Sequence, residues 1–290
     1  PPDLVHVSRI GREFIAGAAL HYARAHGIPY VLTPNHHPRW RGWRYVEYDR
    51  LYRAADALIV YTPAEHDIVV RDIGVDPERV YVTGVGPLVD DDYDADAFRA
   101  EHGLTRDFVL FLGQQYEYKG IDAMLRAAEQ VWARHSDVDF VFIGPPTPWS
   151  QERFAQVDDP RIRNLGRVSP ADKAAALASC RLMCMPSNQE SFGGVYLEAW
   201  HFGKAVIGGD IPAIRCVIDD GINGYVAPQE PAALAARLLT LLDDPAHAAA
   251  LGAAGREKLH AEFSWARIAE KARAAYAAIL ARQRGGVASR

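Results

Sequence analysis

The sequence predicts an α/β protein built from doubly wound parallel sheets. Short apolar runs with the length of strands alternate with helical patterns along the whole chain. Strands separated by helices form βαβ units, because a parallel neighbour is reached only through a crossover connection. The chain has 290 residues, which is enough for two domains or one large one.

The first series of elements is expected to form an N-terminal domain over residues 1–104. Helical patterns cover Glu13–His26 and Pro63–Asp72. The predicted strands are Leu4–Val7, Tyr30–Thr33, Ala57–Val60 and Val80–Val82. Because a doubly wound domain usually has more strands, we expect this one to be truncated. The acidic stretch GPLVDDDYDADAFRAEHGL lacks periodicity and is predicted to be a linker.

The second series is expected to form a complete domain over residues 105–290. Six strands are predicted, at Phe108–Leu112, Asp139–Ile143, Ile162–Leu165, Leu182–Met185, Ala205–Ile207 and Gly224–Val226. Six strands suffice for a doubly wound sheet. After Pro231 the pattern is helical, with breaks near Asp243–Pro245 and Phe263–Ser264. We expect the last helix to pack back on the N-terminal domain.

Composition excludes several classes of protein. The net charge of −5 gives no nucleic-acid signal. No apolar run reaches the roughly 18 residues of a transmembrane helix, and the start, PPDLVHV without Met, does not resemble a signal peptide. Cys180, Cys184 and Cys216 are odd in number and form no CxxC pair. They are therefore expected to be buried and reduced, as in a cytoplasmic protein.

The segment FVLFLGQQYEYKG is a candidate phosphate-binding loop. A strand ends at Gly113, and Lys119-Gly120 opens a helix. A helix start offers free N–H groups and a partial positive charge, and a lysine adds a full charge. The alternative is a surface lysine at a helix start. The order of a Walker loop, GxxxxGK[ST], is absent.

The segment MPSNQESFGGVYLEAWHFGK is a second candidate. It places Glu190 at the carboxyl end of a predicted strand, where open α/β sheets bind ligands. Gly193 and Gly194 open a helix and let a ligand approach the backbone. Glu198 lies about one turn into that helix. The alternative is that Ser191 caps the helix and both glutamates are solvated.

Other polar patterns carry weaker signals. The segment VLTPNHHPRW places Asn35, His36 and His37 after a strand, as acid–base or hydroxyl-contacting groups or as an ordinary polar loop. The DxD patterns DYD, DAD and DVD lie in or before a linker or strand, and we expect them to be solvated. HExxH and zinc-type Cys/His spacings are absent, so no metal site is predicted.

Together these segments resemble the family 4 retaining glycosyltransferases, which have the GT-B fold of two facing Rossmann-like domains. FLGQQYEYKG is similar to the family's FxGRxxxxKG, and ESFGGVYLE to its E-x7-E motif. GKAVIGGDIPAIRCVIDDGINGYVAP is similar to the stretch that follows that motif. The resemblance is fullest from Phe108 to Ala281.

The resemblance implies a role for each matching position. Lys119 would contact the donor's diphosphate, Glu190 the sugar hydroxyls and Glu198 the ribose. Backbone N–H groups from Phe192 to Val195 would contact sugar and phosphate, and Arg167 and Val168 would lie against the base. The donor-binding candidates are Gly113, Gln114, Lys119, Arg167, Val168, Glu190, Ser191, Phe192, Gly193, Gly194, Val195 and Glu198. The catalytic candidates are Glu190, Lys119, Asn35, His36 and His37.

The sequence departs from the family pattern at three places. Gln114 replaces a diphosphate-binding arginine, and Asn35 stands where T-x-H places a histidine. The early glycine-rich loop is absent, so we expect the missing segment either to come from another chain or to have been lost by proteolysis.

The expected function is the transfer of a sugar, with retention, from a nucleotide diphosphate-sugar. The sugar is expected to be a hexose, and the reaction is expected to require neither a metal nor another cofactor. The acceptor is a sugar, a lipid-linked molecule or a small molecule. The basic, aromatic stretch NHHPRWRGWRYVEYDRLYR allows peripheral membrane contact. The alternatives are a GT-B phosphorylase and a non-catalytic nucleotide-sugar-binding subunit.

Overall fold

The computed structural model describes residues 2–8, 13–37 and 42–288. The strands are β1 (Val5–Ser8), β2 (Tyr30–Thr33), β3 (Ala57–Val60), β4 (Val80–Val82), β5 (Phe108–Leu112), β6 (Asp139–Ile143), β7 (Ile162–Gly166), β8 (Leu182–Met185), β9 (Val206–Gly209) and β10 (Tyr225–Ala227). The helices are α1 (Glu13–His26), α2 (Val46–Ala54), α3 (Pro63–Asp67), α4 (Ala95–Glu101), α5 (Ile121–Trp132), α6 (Pro148–Phe154), α7 (Pro170–Ser179), α8 (Gly194–His201), α9 (Pro212–Arg215), α10 (Pro231–Asp243), α11 (Pro245–Lys258) and α12 (Trp265–Ala288).

The chain divides into two compact units. The first contains Pro1–Val85, Glu190–Phe192 and Ser264–Arg290, and the second contains Gly86–Gln189 and Gly193–Phe263. The sequence placed the boundary after residue 104, whereas α4 groups with the second unit. The last helix, α12, groups with the first.

The first unit is a four-stranded parallel sheet in the order β1-β2-β3-β4. Every residue of β2 and β3 is buried, as expected for parallel strands covered on both faces. On one face Leu32 and Leu58 pack in a core with Leu51 of α2. On the other face Ala275 and Ile279 of α12 pack with the strands. The predicted parallel α/β architecture is confirmed here.

The second unit is a six-stranded parallel sheet in the order β10-β9-β8-β5-β6-β7. The chain starts in the middle of this sheet, at β5, builds outward to β7, and then returns to β8 on the other side of β5. The strand order therefore reverses between β5 and β8. A crevice forms outside the carboxyl ends of the strands at such a reversal, and open α/β sheets bind their ligands there.

The expectation that the acidic stretch is only a linker is wrong. It contains α4, whose amino end is capped by the Asp94 carboxylate, which accepts the N–H groups of Asp96 and Ala97. Phe98 of α4 is buried, and Arg99 donates to the Ser179 carbonyl at the end of α7 (3.4 Å). A capping aspartate and one buried aromatic residue therefore suffice for this short helix.

The expectation that all the DxD aspartates are solvated is also wrong. Asp139 is 4% exposed, because it begins the buried strand β6. Its carboxylate forms an ion pair with Arg106 at 3.0 Å. Within the part of the chain that the structure describes, no group of three or more His, Cys, Asp or Glu side chains could hold a metal ion. In that same part, no helix is long and apolar enough to cross a membrane.

The cysteines form no disulfide, since all three are free. Cys180 and Cys184 are buried, as predicted, and Cys216 is half-buried. Burial raises the pKa of the Cys180 thiol to about 12, so this thiol is protonated and unreactive at neutral pH.

The ends of β5 and β6 approach each other at two glycines, Gly113 and Gly144, and this approach leaves no room for a side chain at Gly144. Gly144 has φ +145°, and a Cβ atom there would lie 1.9 Å from the Gly113 carbonyl oxygen. We expect Gly144→Ala to lower the free energy of unfolding by about 3 kcal/mol or more, because both the backbone and the packing would be strained. Denaturant unfolding measures this change.

Gly194→Ala is the control, because a Cβ atom at Gly194 would meet no atom within 4 Å. Its effect should stay below about 1 kcal/mol. Equal effects of the two substitutions would contradict the close approach of the strand ends.

Candidate functional site

Two loops of the second unit flank the strand reversal and are bonded to each other. The loop after β5 ends with Lys119-Gly120, and the loop after β8 begins at Pro186. The backbone N–H of Asn188 donates to the Tyr118 carbonyl at 3.0 Å. Gln229 donates to the carbonyls of Tyr118 and Pro186, both at 2.7 Å. These hydrogen bonds therefore fix the positions of the two loops relative to each other.

Gly120 explains why these loops can meet so closely. It has φ +86°, and a Cβ atom there would lie 2.8 Å from the Pro186 carbonyl oxygen. Any other residue would strain the backbone and push the loops apart. Lys119 immediately precedes this glycine, and its ammonium lies 5.5 Å from the centroid of the Tyr118 ring. The lysine is therefore placed at the amino end of α5, as the sequence predicts.

The glycine pair at the start of α8 has two different functions. Gly193 is the N-cap with φ +84°, and a Cβ atom there would lie 2.5 Å from the Tyr196 ring. Gly194 faces open space, since a Cβ atom at this position would have no neighbour within 4 Å. The sequence assigned ligand access to both glycines, but only Gly194 has room beside it.

No side chain caps the amino end of α8. The alternative in which Ser191 caps this helix is therefore wrong, because the cap is Gly193. The first N–H groups of α8 receive no side-chain acceptor from the cap residue. They are suited to bind a phosphate or a sugar hydroxyl.

A cavity of about 450 Å³ lies at the carboxyl ends of the strands of the second unit, which is a usual size for a small-molecule site. Half of the predicted donor-binding residues line it, namely Gly113, Gln114, Arg167, Val168, Val195 and Glu198. The remaining lining residues are Leu112, Ile143, Gly144, Pro145, Ser169, Pro170 and Lys173. The predicted residues Lys119, Glu190, Ser191, Phe192, Gly193 and Gly194 do not line it.

Glu198 is the buried acid of this cavity, with 9% of its side chain exposed. Its Oε1 atom lies 3.0 Å from the ammonium of Lys173. Its Oε2 atom is buried and has no hydrogen-bond partner among the described residues. Burial raises the pKa of Glu198, while Lys173 and the backbone of Leu88 oppose that rise. The alternative in which both glutamates are solvated is wrong, because Glu190 is also only 7% exposed.

Lys173 is the residue of this site that the sequence analysis missed. It lies in the first turn of α7, the helix that follows β7. Strand β7 ends at the same edge of the sheet as β5 and β8. A lysine in the first turn of a helix after such a strand was the available signal. It was overlooked because the resemblance assigned this region to the base through Arg167 and Val168.

The segment Glu190–Phe192 groups with the first unit. In that unit the Ser191 hydroxyl donates to the Asn35 amide oxygen at 2.5 Å. Asn35 has φ +50° and is the one non-glycine residue of the described chain with positive φ, a conformation that asparagine tolerates. The roles predicted for Asn35 and these motif residues stay predictions.

His36 and His37 follow in the same loop but differ in setting. His36 is 3% exposed, and its Nδ1 atom lies 3.1 Å from the Tyr52 hydroxyl. His37 is half-buried. The backbone N–H of His36 donates to the carboxylate of Glu65 at 2.5 Å. Tyr52 and Glu65 therefore fix the position of His36, whose catalytic role stays a prediction.

Glu65 is buried and accepts two backbone N–H groups, from His36 and from Tyr61 at 2.7 Å. Burial raises its pKa from 4.5 to about 7, while the two N–H donors oppose the rise. The folded protein therefore binds the Glu65 proton more tightly than the unfolded chain does.

This pKa sets the sign of a pH dependence. Between about pH 4.5 and 7 the folded state holds more protons, so the free energy of unfolding should fall as the pH rises, by roughly 3 kcal/mol from this group. Glu65→Gln removes the titration, and its unfolding free energy should depend less on pH in that window. Denaturant unfolding at a series of pH values measures the difference.

Glu78→Gln is the matched control, because the Glu78 side chain is 78% exposed. It should keep the wild-type pH dependence. A Glu65→Gln variant with the wild-type slope would show that Glu65 titrates normally.

Two family profiles match the chain, "Glycosyl transferase 4-like domain" over residues 1–86 and "Glycosyl transferases group 1" over residues 106–244. A relative is the D-inositol 3-phosphate glycosyltransferase 1 of Catenulispora acidiphila, 32% identical over 80% of this chain and 59% of the relative. Another is the alpha-maltose-1-phosphate synthase of Mycolicibacterium smegmatis, 30% identical over 88% of this chain and 74% of the relative. The chain thus spans 59% of the first relative's length.

Solved structures share the fold. Anabaena HepE, in complex with UDP and glucose, has a TM-score of 0.82 and 18% identity over 95% of this chain and 77% of its own. Sucrose-phosphate synthase from Thermosynechococcus elongatus has a TM-score of 0.82 and 21% identity over 97% of this chain and 74% of its own. The predicted GT-B fold class is confirmed.

Proposed function

Because the chain belongs to the group 1 glycosyltransferases, known as family 4, we propose that it transfers a sugar, with retention, from a nucleoside diphosphate sugar to an acceptor. The observation that carries this proposal is the cavity at the carboxyl ends of the strands of the second unit, where the buried Glu198 has an Oε2 atom without a partner among the described residues. A buried acceptor atom of this kind is suited to a ligand hydroxyl.

In this proposal the donor spans the cavity and the two loops beside it. The ribose binds Glu198, and the base lies against Val168 and the exposed Arg167. The diphosphate binds near Gly113, which lines the same cavity, and near the uncapped amino end of α8. The proposed role of Glu190, which groups with the first unit, is to bind the hydroxyls of the donor sugar through its carboxylate.

The chemistry requires positive charge at the leaving group. As the glycosidic bond breaks, negative charge develops on the phosphate oxygens and the anomeric carbon becomes oxocarbenium-like. Lys119 and the N–H groups at the start of α8 supply the compensating charge, so the proposal requires no metal. Glu190 orients the sugar so that the acceptor attacks the anomeric carbon on the same face from which the leaving group departs.

Other residues are proposed to work on the acceptor side of the reaction. Asn35, His36 and His37 share one loop of the first unit, and they would contact the reacting sugar or the acceptor hydroxyl. Gln114 keeps a polar contact where the family has an arginine. Without that cation, Lys119 carries more of the charge on the diphosphate.

The acceptor is left unassigned. The relatives' names point to different acceptors and products, such as D-inositol 3-phosphate and alpha-maltose-1-phosphate. Large apolar side chains at Phe14 and Trp43 of the first unit are 93% and 86% exposed, and they suit a lipid-linked acceptor or peripheral membrane contact. The three free cysteines fit a cytoplasmic location.

The proposal predicts donor turnover. Incubation with UDP-, GDP- and ADP-hexoses, with and without a panel of acceptors, should release nucleoside diphosphate from one of them. Lys119→Ala and Glu190→Ala should each lower kcat/KM by about 100-fold, since each removes a contact to the developing charge or to the sugar.

Lys271→Ala and Glu152→Ala are the controls, because both residues are exposed on helices outside the cavity. They should leave kcat/KM within about twofold. Unchanged turnover in Lys119→Ala and in Glu190→Ala would contradict the site assignment.

The same assay separates the other functions. Nucleotide binding without turnover on any acceptor would identify a non-catalytic nucleotide-sugar-binding subunit, which the Gln114 substitution favours. Sugar release that depends on inorganic phosphate would identify a phosphorylase. Both outcomes would contradict the proposed transfer.

A further inference from the structure

Lys173 makes two contacts in the cavity of the second unit. Its ammonium lies 3.0 Å from Glu198 Oε1 and donates to the Leu88 carbonyl at 2.6 Å. The side chain is 23% exposed, although a lysine ordinarily extends into water. Two bonds to fixed partners, one of them a backbone carbonyl, hold its amino group beside the glutamate.

The lysine decides how Glu198 meets a ligand. The pair leaves Oε1 occupied, while Oε2 is buried without a partner among the described residues. A carboxylate buried to this degree without a cation would favour its protonated form. Lys173, together with the backbone of Leu88, therefore opposes protonation of the acid, and the pair leaves one oxygen, Oε2, for the cavity. An ionised acceptor forms a stronger hydrogen bond to a hydroxyl than a neutral one does.

We propose that Lys173 is a positioning residue that holds Glu198 ionised with Oε2 directed at a ribose hydroxyl, and thereby makes the site selective for ribonucleotides over deoxyribonucleotides. The inference rests on the proposed function and assigns a residue outside the motifs to it. Lys173 acts through Glu198. Its removal should therefore weaken the binding of nucleotides that have the hydroxyl contacted by Glu198 and leave the binding of those without it nearly unchanged.

An alternative role for the same charge is direct attraction of the donor's diphosphate. The two roles predict different results. Attraction to the diphosphate would affect ribose and deoxyribose nucleotides equally, because both carry the same phosphates. Positioning of Glu198 would affect only the nucleotide that has the hydroxyl.

The test is calorimetric titration of UDP, GDP and ADP, each beside its 2′-deoxy and 3′-deoxy forms. The wild type should prefer one ribonucleotide over at least one of its deoxy forms by about 10- to 100-fold, the value of one charged hydrogen bond. Lys173→Met should lose most of this preference, with the affinity for the deoxy form changed less than about threefold.

Three further variants separate positioning from structure. Lys173→Arg should keep the preference, because it keeps the charge. Lys173→Gln can still donate to the Leu88 carbonyl but lacks the charge, and should lose the preference, which keeps the test valid if the Met variant fails to fold. Lys204→Met, at a half-buried lysine outside the cavity, should behave as wild type.

Coupling to Glu198 completes the test. Glu198→Gln should lose the same preference, and the double variant with Lys173→Met should lose no more than either single variant, because both act on one hydrogen bond. Additive losses would contradict the proposal.

The failures are distinguishable. A wild type that binds none of the nucleotides contradicts the proposed function and this inference with it. A wild type that binds without ribose preference, a Lys173→Met variant that keeps the preference, or equal losses for ribose and deoxyribose forms would each overturn the inference and leave the proposed function standing.

Discussion

The close contact between the loops after β5 and β8 is the constraint on which the candidate site depends. The strand order reverses between these two strands, so their loops leave the sheet on either side of a crevice. Gly120 makes the contact possible, and the Tyr118 carbonyl accepts the bonds that hold it. The Lys-Gly pair is thus fixed relative to the loop that leads into the E-x7-E motif.

Buried carboxylates in the two units are stabilised in different ways. Glu65 of the first unit accepts two backbone N–H groups, which oppose the rise of its pKa to about 7 that burial causes. Glu198 of the second unit has a lysine, which opposes the effect of burial on its pKa. At Glu198 the neighbouring cation favours the ionised form, which binds a hydroxyl more strongly than the neutral form does. The difference in partners therefore agrees with the difference in proposed roles.

Much of the fold could be predicted because buried parallel strands are short, continuous apolar runs. The bounds of β2, β3, β5 and β8 agree with the prediction at both ends. Helix α4 was missed because its apolar face is reduced to Phe98, although Asp94 gave a capping signal. Asp139 was misjudged because sequence spacing does not reveal that an acid at the start of a strand is enclosed and paired with Arg106.

Motifs mark part of the candidate site in the sequence, whereas side chains that reach the site from elsewhere carry no motif. The motif glutamates and the Lys-Gly pair were visible in sequence, but the unequal glycines at 193 and 194 became clear only from the space around each. Lys173 carries no motif, and its contact with Glu198 joins two helices, α7 and α8, that a strand separates in sequence. Long-range contacts of this kind depend on the strand order, which local patterns do not encode.

In the proposed function, the cavity beside Glu198 binds the nucleotide of the donor. The most direct measurement is a crystal structure of the protein with the nucleoside diphosphate that it binds most tightly. We expect a ribose hydroxyl within about 3 Å of Glu198 Oε2 and the base beside Val168. A nucleotide bound elsewhere, or a ribose turned away from Glu198, would contradict it.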